Sequence, residues 1–406
     1  MTARASAIPR TVFALGLVSF FMDVSSESIH ALLPLFLTTT LGASVTLVGL
    51  IDGVAEATAS ISKVFSGYLS DRFGRRKPLI LLGYSLGALS KPLFALAGSP
   101  GVVFAARFAD RIGKGIRGAP RDALIADVTP PQIRGRAFGL RQALDTAGAF
   151  AGPLMAIFLM AAFADNMRAV FWVAAVPAAI AVLCVIFGVA EGPVTDAGAG
   201  AARPPLRVKD LASFDRAFWT VVAIGAAFTL ARFSEAFLIL RANGDGLPLA
   251  LAPAALIVMN LVYMLGAYPA GALADRASPT LLLVIGLMAL IAADLTLALA
   301  PGLLGAFAGI ALWGAHMALT QGLLAKMVAD AAPAALRASA FGVFNLVVGL
   351  FMLAASVIAG LLWDWRGPSA TFLAGAGFAL AAAVLTLALT RRPAARQGFR
   401  LSPPPR

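Results

Sequence analysis

Two polar phrases occur twice in this chain, about two hundred residues apart. Gly67-Tyr68-Leu69-Ser70-Asp71-Arg72 returns as Gly271-Ala272-Leu273-Ala274-Asp275-Arg276. Asp127, Pro130, Arg134, Ala137, Phe138 and Gly139 return, with identical internal spacing, as Asp330, Pro333, Arg337, Ala340, Phe341 and Gly342. The two offsets agree to within one residue, so one long unit is duplicated and the chain must fold as two halves of one design. Between these marks it is nearly all apolar. Hydrophobic residues make up 60% of the chain and charged residues 13%, where a soluble domain carries about 25% charged residues. This much apolar surface has to face lipid or other membrane helices. Duplicated halves in a membrane chain are the architecture of many secondary transporters.

A membrane-crossing helix needs about 20 apolar residues. Twelve such spans are predicted, over residues 12–38, 44–69, 78–98, 102–125, 138–163, 169–189, 217–240, 249–273, 279–299, 304–327, 339–363 and 369–390. The fold class expected is an all-α polytopic membrane protein, with twelve transmembrane helices in two pseudo-symmetric six-helix bundles. Residues 1–190 form the N-terminal bundle, 191–215 a Gly-, Ala- and Pro-rich linker, 216–390 the C-terminal bundle and 391–406 a basic, Pro-rich tail. A net charge of +12 would suggest nucleic acid in a soluble protein. Here its placement points to topology instead. Outside the spans, every Lys and Arg except Arg168, Arg241 and Arg366 falls in the termini or in the connections on one side. Positive charge marks the cytoplasmic side, so both termini, the linker and the tail are expected in the cytoplasm. The basic, apolar N-terminus continues past any signal-peptide length and is expected to be an uncleaved first span. The single cysteine, Cys184, lies in an apolar run and is expected to pack.

The phrase Gly67-x-Leu69-x-Asp71-Arg72-x-Gly74-Arg75-Arg76 resembles the loop 2–3 signature of the major facilitator superfamily, as found in its bacterial transporters. Gly271, Asp275 and Arg276 resemble its degenerate second copy. Arg107 in span 4 resembles the family's fourth-helix arginine, and Gly148-x-x-x-Gly152-Pro153 in span 5 partly resembles its antiporter motif. The resemblance runs through nearly the whole chain and says nothing of substrate. It implies two bundles rocking about a central cavity lined by helices 1, 4, 7 and 10, a monomeric state and a gating role for Gly67, Asp71, Arg72, Gly74, Arg75, Gly271, Asp275 and Arg276. The residues support that role in their own right. A glycine permits close helix approach, an acid suits a helix N-terminus, and the basic cluster can pair with that acid or with lipid phosphates.

Ionisable groups within a span cost several kcal/mol and are functional by default. They crowd into the first half. Asp23, Ser26, Glu27 and His30 fall on one helical face, as do Asp52, Glu56, Ser60 and Lys63. Arg107, Asp110, Arg111, Lys114, Arg117 and Arg121 form a third stripe. Three polar stripes must face one another or water. Asp23, Glu27, Asp52, Glu56 and Asp110 are the candidates for proton coupling. His30, Arg107, Arg111, Lys114, Arg232, Phe233, Glu235, Trp313, His316 and Gln321 are candidates for the substrate cavity. Arg117, Arg121, Arg141 and Asp145, toward the cytoplasm, are gating candidates, although Arg141 and Asp145 could simply pair with each other, as could Arg232 and Glu235. Gly113, Gly115, Gly118 and Pro120 are expected to interrupt span 4, which backbone at membrane depth tolerates beside a cavity.

Enzyme motifs are accidental here. Gly113-x-Gly115-x-x-Gly118 follows no strand, and Gly83-x-Ser85-x-Gly87 lies in a continuous apolar span, where its glycines suit helix packing. Two His and one Cys cannot build a structural zinc cage. No catalysis, cofactor, resident metal or nucleic-acid partner is expected. The expected partners are a small molecule, protons and the lipid bilayer, in the inner (plasma) membrane of a bacterium. The expectation is proton-coupled export. Proton-coupled uptake of an organic anion and export of a metal or metal chelate are the alternatives.

Overall fold

The computed structural model describes residues 8–73, 75–130, 133–190, 214–274, 277–320, 323–332 and 337–390. Among these residues every regular element is helical. The N-terminal half holds α1 (Arg10–His30), the single turn α2 (Leu33–Leu35), α3 (Val45–Phe73), α4 (Lys77–Leu96), α5 (Pro100–Val128), α6 (Arg134–Ala162) and α7 (Met167–Gly188). The C-terminal half holds α8 (Arg216–Leu230), α9 (Ala236–Gly244), α10 (Ala254–Ala274), α11 (Pro279–Leu299), α12 (Gly302–Thr320), α13 (Leu323–Ala331), α14 (Arg337–Arg366) and α15 (Pro368–Thr390). Among the described residues, ten helices are long and apolar enough to cross a membrane. Two of the twelve predicted spans fall outside that set for identifiable reasons: α5 carries too many charges, and span 7 is divided into α8 and α9.

Local sequence explains the boundaries. Asn166, Asp215 and Ser278 each accept a backbone N–H at the start of α7, α8 and α11, at 3.2, 2.9 and 3.2 Å, the usual task of an N-cap. Proline in the first turn of α4, α5 and α11 has no N–H to leave unpaired. The turns at Gly42, Gly246, Gly302 and Gly367 use positive φ, which glycine adopts without strain.

Two expectations need correction. Span 7 is not one helix over 217–240, because the helix stops at Leu230 and resumes at Ala236. Span 4 is not interrupted: α5 is continuous, with Pro120 inside it. Its glycines are crossing points. A Cβ on Gly113 would stand 2.6 Å from Gly83 O, and one on Gly115 2.9 Å from Ala59 O. They let α4 and α3 approach the backbone of the most charged helix.

The apolar packing tells how the halves meet. At the loop 1–2 end, one cluster joins Ile29, Leu33, Phe36, Val48 and Met160 to Ala236 of the other half, and a second joins Ala31 and Leu35 to the C-terminal core. At the opposite end each half keeps its own cluster, around Val12, Ile80 and Val185 in one and Phe218, Val328 and Phe344 in the other. The halves are thus fused at one end. α3 and α14 form the main seam, with Gly49 against Ser356, Gly53 against Leu353 and Gly360 against Thr46. At its tip, Asp364 of α14 accepts from the backbone N–H groups of Val45 and Thr46, at 3.1 and 2.8 Å, and so caps α3 from the other half.

Candidate substrate cavity and coupling site

A cavity of about 240 Å³ lies between the halves, beneath the fused end. The N-terminal half contributes Glu27, His30, Asp52, Glu56, Arg107, Arg111 and Lys114; the C-terminal half contributes Arg232, Phe233, Ser234, Glu235, Met352 and Ser356. Buried charges are tolerable only when paired, and nearly all of these are. Arg107 meets Asp52 at 3.2 Å, Arg111 meets Glu56 at 3.4 Å, His30 Nδ1 lies 3.3 Å from Glu27, and Arg232 lies 3.7 Å from Glu235. Ser234 Oγ donates to Asp52 at 2.8 Å, tying the broken span 7 to α3 across the cavity. Lys114 has no ion-pair partner among the described residues, and its ammonium group is left to the cavity.

The α1 stripe does not face one way. Glu27 and His30 look into the cavity. Ser26 accepts from Lys91 at 2.9 Å, and Asp23 lies against α6, where a Cβ on Gly148 would stand 3.0 Å from its own. A Cβ on Gly152 would stand 2.8 Å from that of Glu27. The span 5 glycines therefore bring α6 against α1 at its two carboxylates, because α1 is wrapped by neighbours on several sides. The α5 stripe divides similarly. Arg107, Arg111 and Lys114 reach the cavity, while Asp110 turns to α4 and binds Lys91 at 2.8 Å, both residues nearly inaccessible. Arg117 stacks over the Tyr84 ring at 4.6 Å.

Toward the other end, Arg121 contacts Asp122 at 3.1 Å and Asp145 at 4.0 Å, and Arg141 contacts the same two acids at 3.6 and 3.5 Å. The sequence pairing of Arg141 with Asp145 is present, within a four-membered network. Arg76 reaches Ser70 at 2.6 Å and Asp127 at 3.3 Å, which anchors the loop 2–3 region to α5. Gly67 faces Ala119, Arg75 is exposed and Gly271 lies in α10. The side chains of Asp71 and Arg72, and residues Gly74, Asp275, Arg276 and Gln321, lie outside the described residues.

Trp313 and His316 are not cavity residues. Both are fully buried inside the C-terminal half. Trp313 packs against Phe233 at 5.4 Å between ring centres, and His316 stacks on Phe228 while Nδ1 meets Gly286 O at 2.7 Å. Their helix turns His316 to α11 and Trp313 to Phe233, directions that spacing in an almost wholly apolar helix does not reveal. Lys91, Ser234, Met352, Ser356 and Asp364 escaped the candidate set. Lys91 is visible in the sequence as a charge in a span, but its pairing with Asp110 is not. A larger groove of about 1100 Å³ opens between α1, α6 and α7. Phe13, Leu183 and Phe187 make it an exposed apolar surface, so the charged cavity is the functional candidate. Among the described residues no group of three or more His, Cys, Asp or Glu could hold a metal ion.

Comparison with known proteins agrees with this architecture. The profile of the Major Facilitator Superfamily matches residues 15–356 and again 246–404. An uncharacterised transporter of this type from Methanocaldococcus jannaschii is 33% identical over 388 residues, 94% of this chain and 95% of its own. The multidrug resistance protein MdtH of Photorhabdus laumondii is 33% identical over 146 residues, 36% of this chain and 35% of its own. In fold, the crystal structure of the nucleoside transporter NupG superposes with a TM-score of 0.77 at 16% identity, covering 94% of this chain and 99% of that one. The chain belongs to the major facilitator superfamily and is a multi-pass membrane transporter.

Proposed function

We propose that this chain exports a small organic molecule in exchange for protons, by alternating access, with both termini in the cytoplasm of a plasma-membrane protein. The observation that carries this reading is the charged cavity at the junction of the halves, closed at the loop 1–2 end and holding the Glu27–His30 pair. A carboxylate beside an imidazole can take up and release one proton without leaving a naked charge in the membrane, and imidazole changes charge in the physiological range. By the positive-inside assignment the closed end is extracytoplasmic, so the cavity belongs to a cytoplasm-facing state. Export is supported by the partial likeness to a multidrug resistance protein and by the α6 glycines at Asp23 and Glu27. The unpaired Lys114 favours a substrate with an anionic or hydrogen-bond-accepting group, and Phe233 and Met352 favour an apolar part beside it. That same lysine is the observation behind a second reading, proton-coupled uptake of an organic anion.

The test is flux in proteoliposomes with a pH-sensitive dye inside, screened against lipophilic cations and aliphatic and aromatic carboxylates. Export by exchange moves protons opposite to the solute, and uptake by symport moves them with it. Lys114→Met lowers transport of the carboxylates selectively. A solute carried at full rate with no proton movement would refute the coupling.

A further inference from the structure

Among the described residues, Asp294 of α11 is the buried acid that has neither a place in the cavity nor an ion-pair partner. Its relative exposure is 0%, and neither carboxylate oxygen has a hydrogen-bond partner among the described residues. The site is built for it. On α15, position 375 is glycine, and a Cβ there would stand 2.6 Å from the Asp294 carboxylate and 2.9 Å from the Phe233 ring. The bare backbone of Gly375 is therefore the floor of a recess, and Phe233 is its lid. Phe233 has the cavity on one flank, between Arg232 and Ser234. It lies in the non-helical stretch between Leu230 and Ala236.

The charged groups around Asp294 are few. The helices packed against α11 are α12, α15 and, at the opposite end, α13. α15 has no titratable residue, and α12 has only His316, whose Nδ1 is held by Gly286 about two turns from Asp294. α13 carries Lys326 and Asp330 beyond that end, and Arg232 and Glu235 stand on the cavity side of Phe233. The repeat sharpens this. The shift that sets Gly83 and Arg117 on Gly286 and Thr320, a helix contact present in both halves, sets Lys91 on Asp294 and Asp110 on Trp313. The N-terminal half holds an ion pair there. At the equivalent positions the C-terminal half has a carboxyl and an indole, and the indole Nε1 is also unpartnered among the described residues. An ionised carboxylate with no cation in such a place costs several kcal/mol, so the neutral acid is the form that the recess accepts.

We propose that Asp294 is a proton-binding site of the C-terminal half, loaded in this state, sealed from the cavity by Phe233 and discharged when Phe233 swings away. On discharge the carboxyl O–H breaks, the carboxylate keeps the electron pair, and the proton passes to cavity water or to Glu235. Its use in transport rests on the proton-coupled reading above; the site itself does not, and neither does its test.

The test is infrared spectroscopy of the full chain reconstituted in lipid, with no substrate present. At neutral pH the protonated-carboxyl C=O band is expected in the wild type, and its Asp294 component is lost in Asp294→Asn. In D2O that component shifts slowly in the wild type and faster in Phe233→Ala, a variant that leaves the carboxyl intact and decides the matter even if Asp294→Asn fails to insert. An Asp294→Asn protein with an unchanged band means that the acid is ionised, and overturns the proposal. Exchange equally slow in the wild type and Phe233→Ala means a permanently neutral packing residue, and also overturns it. Normal spectroscopy together with solute flux lacking proton movement would sink the coupling reading and leave the site standing.

Discussion

The same helix crossing, between the third and fourth spans of each half, is filled in opposite ways. In the N-terminal half α4 meets α5 through Lys91 and Asp110, 2.8 Å apart and out of water. In the C-terminal half the equivalent positions are Asp294 and Trp313, neither with a hydrogen-bond partner among the described residues, and Trp313 packs on a cluster of Phe233, Phe237, Trp363 and Phe372 rings. A buried ion pair admits one geometry, because displacing either partner exposes an uncompensated charge. A cluster of aromatic rings has no such directional demand. The N-terminal half is therefore the stiff, charge-ordered side of the cavity. The C-terminal half, with a broken span 7 and a lone acid behind an aromatic lid, is the side able to repack.

The largest effect should come from the stiff side. Asp110→Ala strands Lys91 in the core and is expected to cost about 3–5 kcal/mol, seen as a large fall in the melting temperature of the purified protein. The double variant Lys91→Met/Asp110→Leu removes both charges and should recover most of it. If the single variant melts like the wild type, the ionic half is not stiff in the sense argued here. Asp52→Asn comes next, because Asp52 holds both Arg107 and, across the cavity, Ser234. Hydrogen bonds to charged groups contribute about 1.5–3 kcal/mol, so transport should slow markedly while insertion persists. A Ser234→Ala protein with wild-type flux would show that the cross-cavity bond does not matter. Smallest is Asp364→Asn, which weakens a helix cap of about 0.5–2 kcal/mol that spans the halves. Labelling of Val45→Cys in a Cys184→Ser background should rise as the closed end opens more often. Unchanged labelling would remove Asp364 from the seam.

Much of this was legible in the sequence, and the limit lies in direction. The repeat and the apolar spans point to an all-helical membrane chain, since membrane burial requires helices of that length, and ten of the twelve expected spans are present as such among the described residues. Helical periodicity brought Glu27, His30, Asp52, Glu56, Arg107, Arg111 and Lys114 to one cavity. Periodicity assigns a face only relative to its own helix, however. In α5 neighbouring positions of one stripe part company, Arg111 to the cavity and Asp110 to Lys91. In α12 almost every residue is apolar, so nothing marked His316 as facing α11 or Trp313 as facing Phe233. The glycines of α5 suggested a broken helix because their partners, Gly83 O and Ala59 O, lie on other helices. The actual break, at Arg232–Glu235, carries neither glycine nor proline. The cap of α3 by Asp364 joins residues more than three hundred positions apart, which no local pattern encodes.

The coupling role of the charged N-terminal side of the cavity is tested most directly by proton movement in Glu27→Gln. Purified wild type and variant are reconstituted with an internal pH dye and given a solute that the wild type carries. Wild type should move protons opposite to the solute. Glu27→Gln should still exchange solute for solute across the membrane while moving fewer protons per solute than the wild type. Proton movement in Glu27→Gln at the wild-type rate, with unchanged pH dependence, would contradict the account.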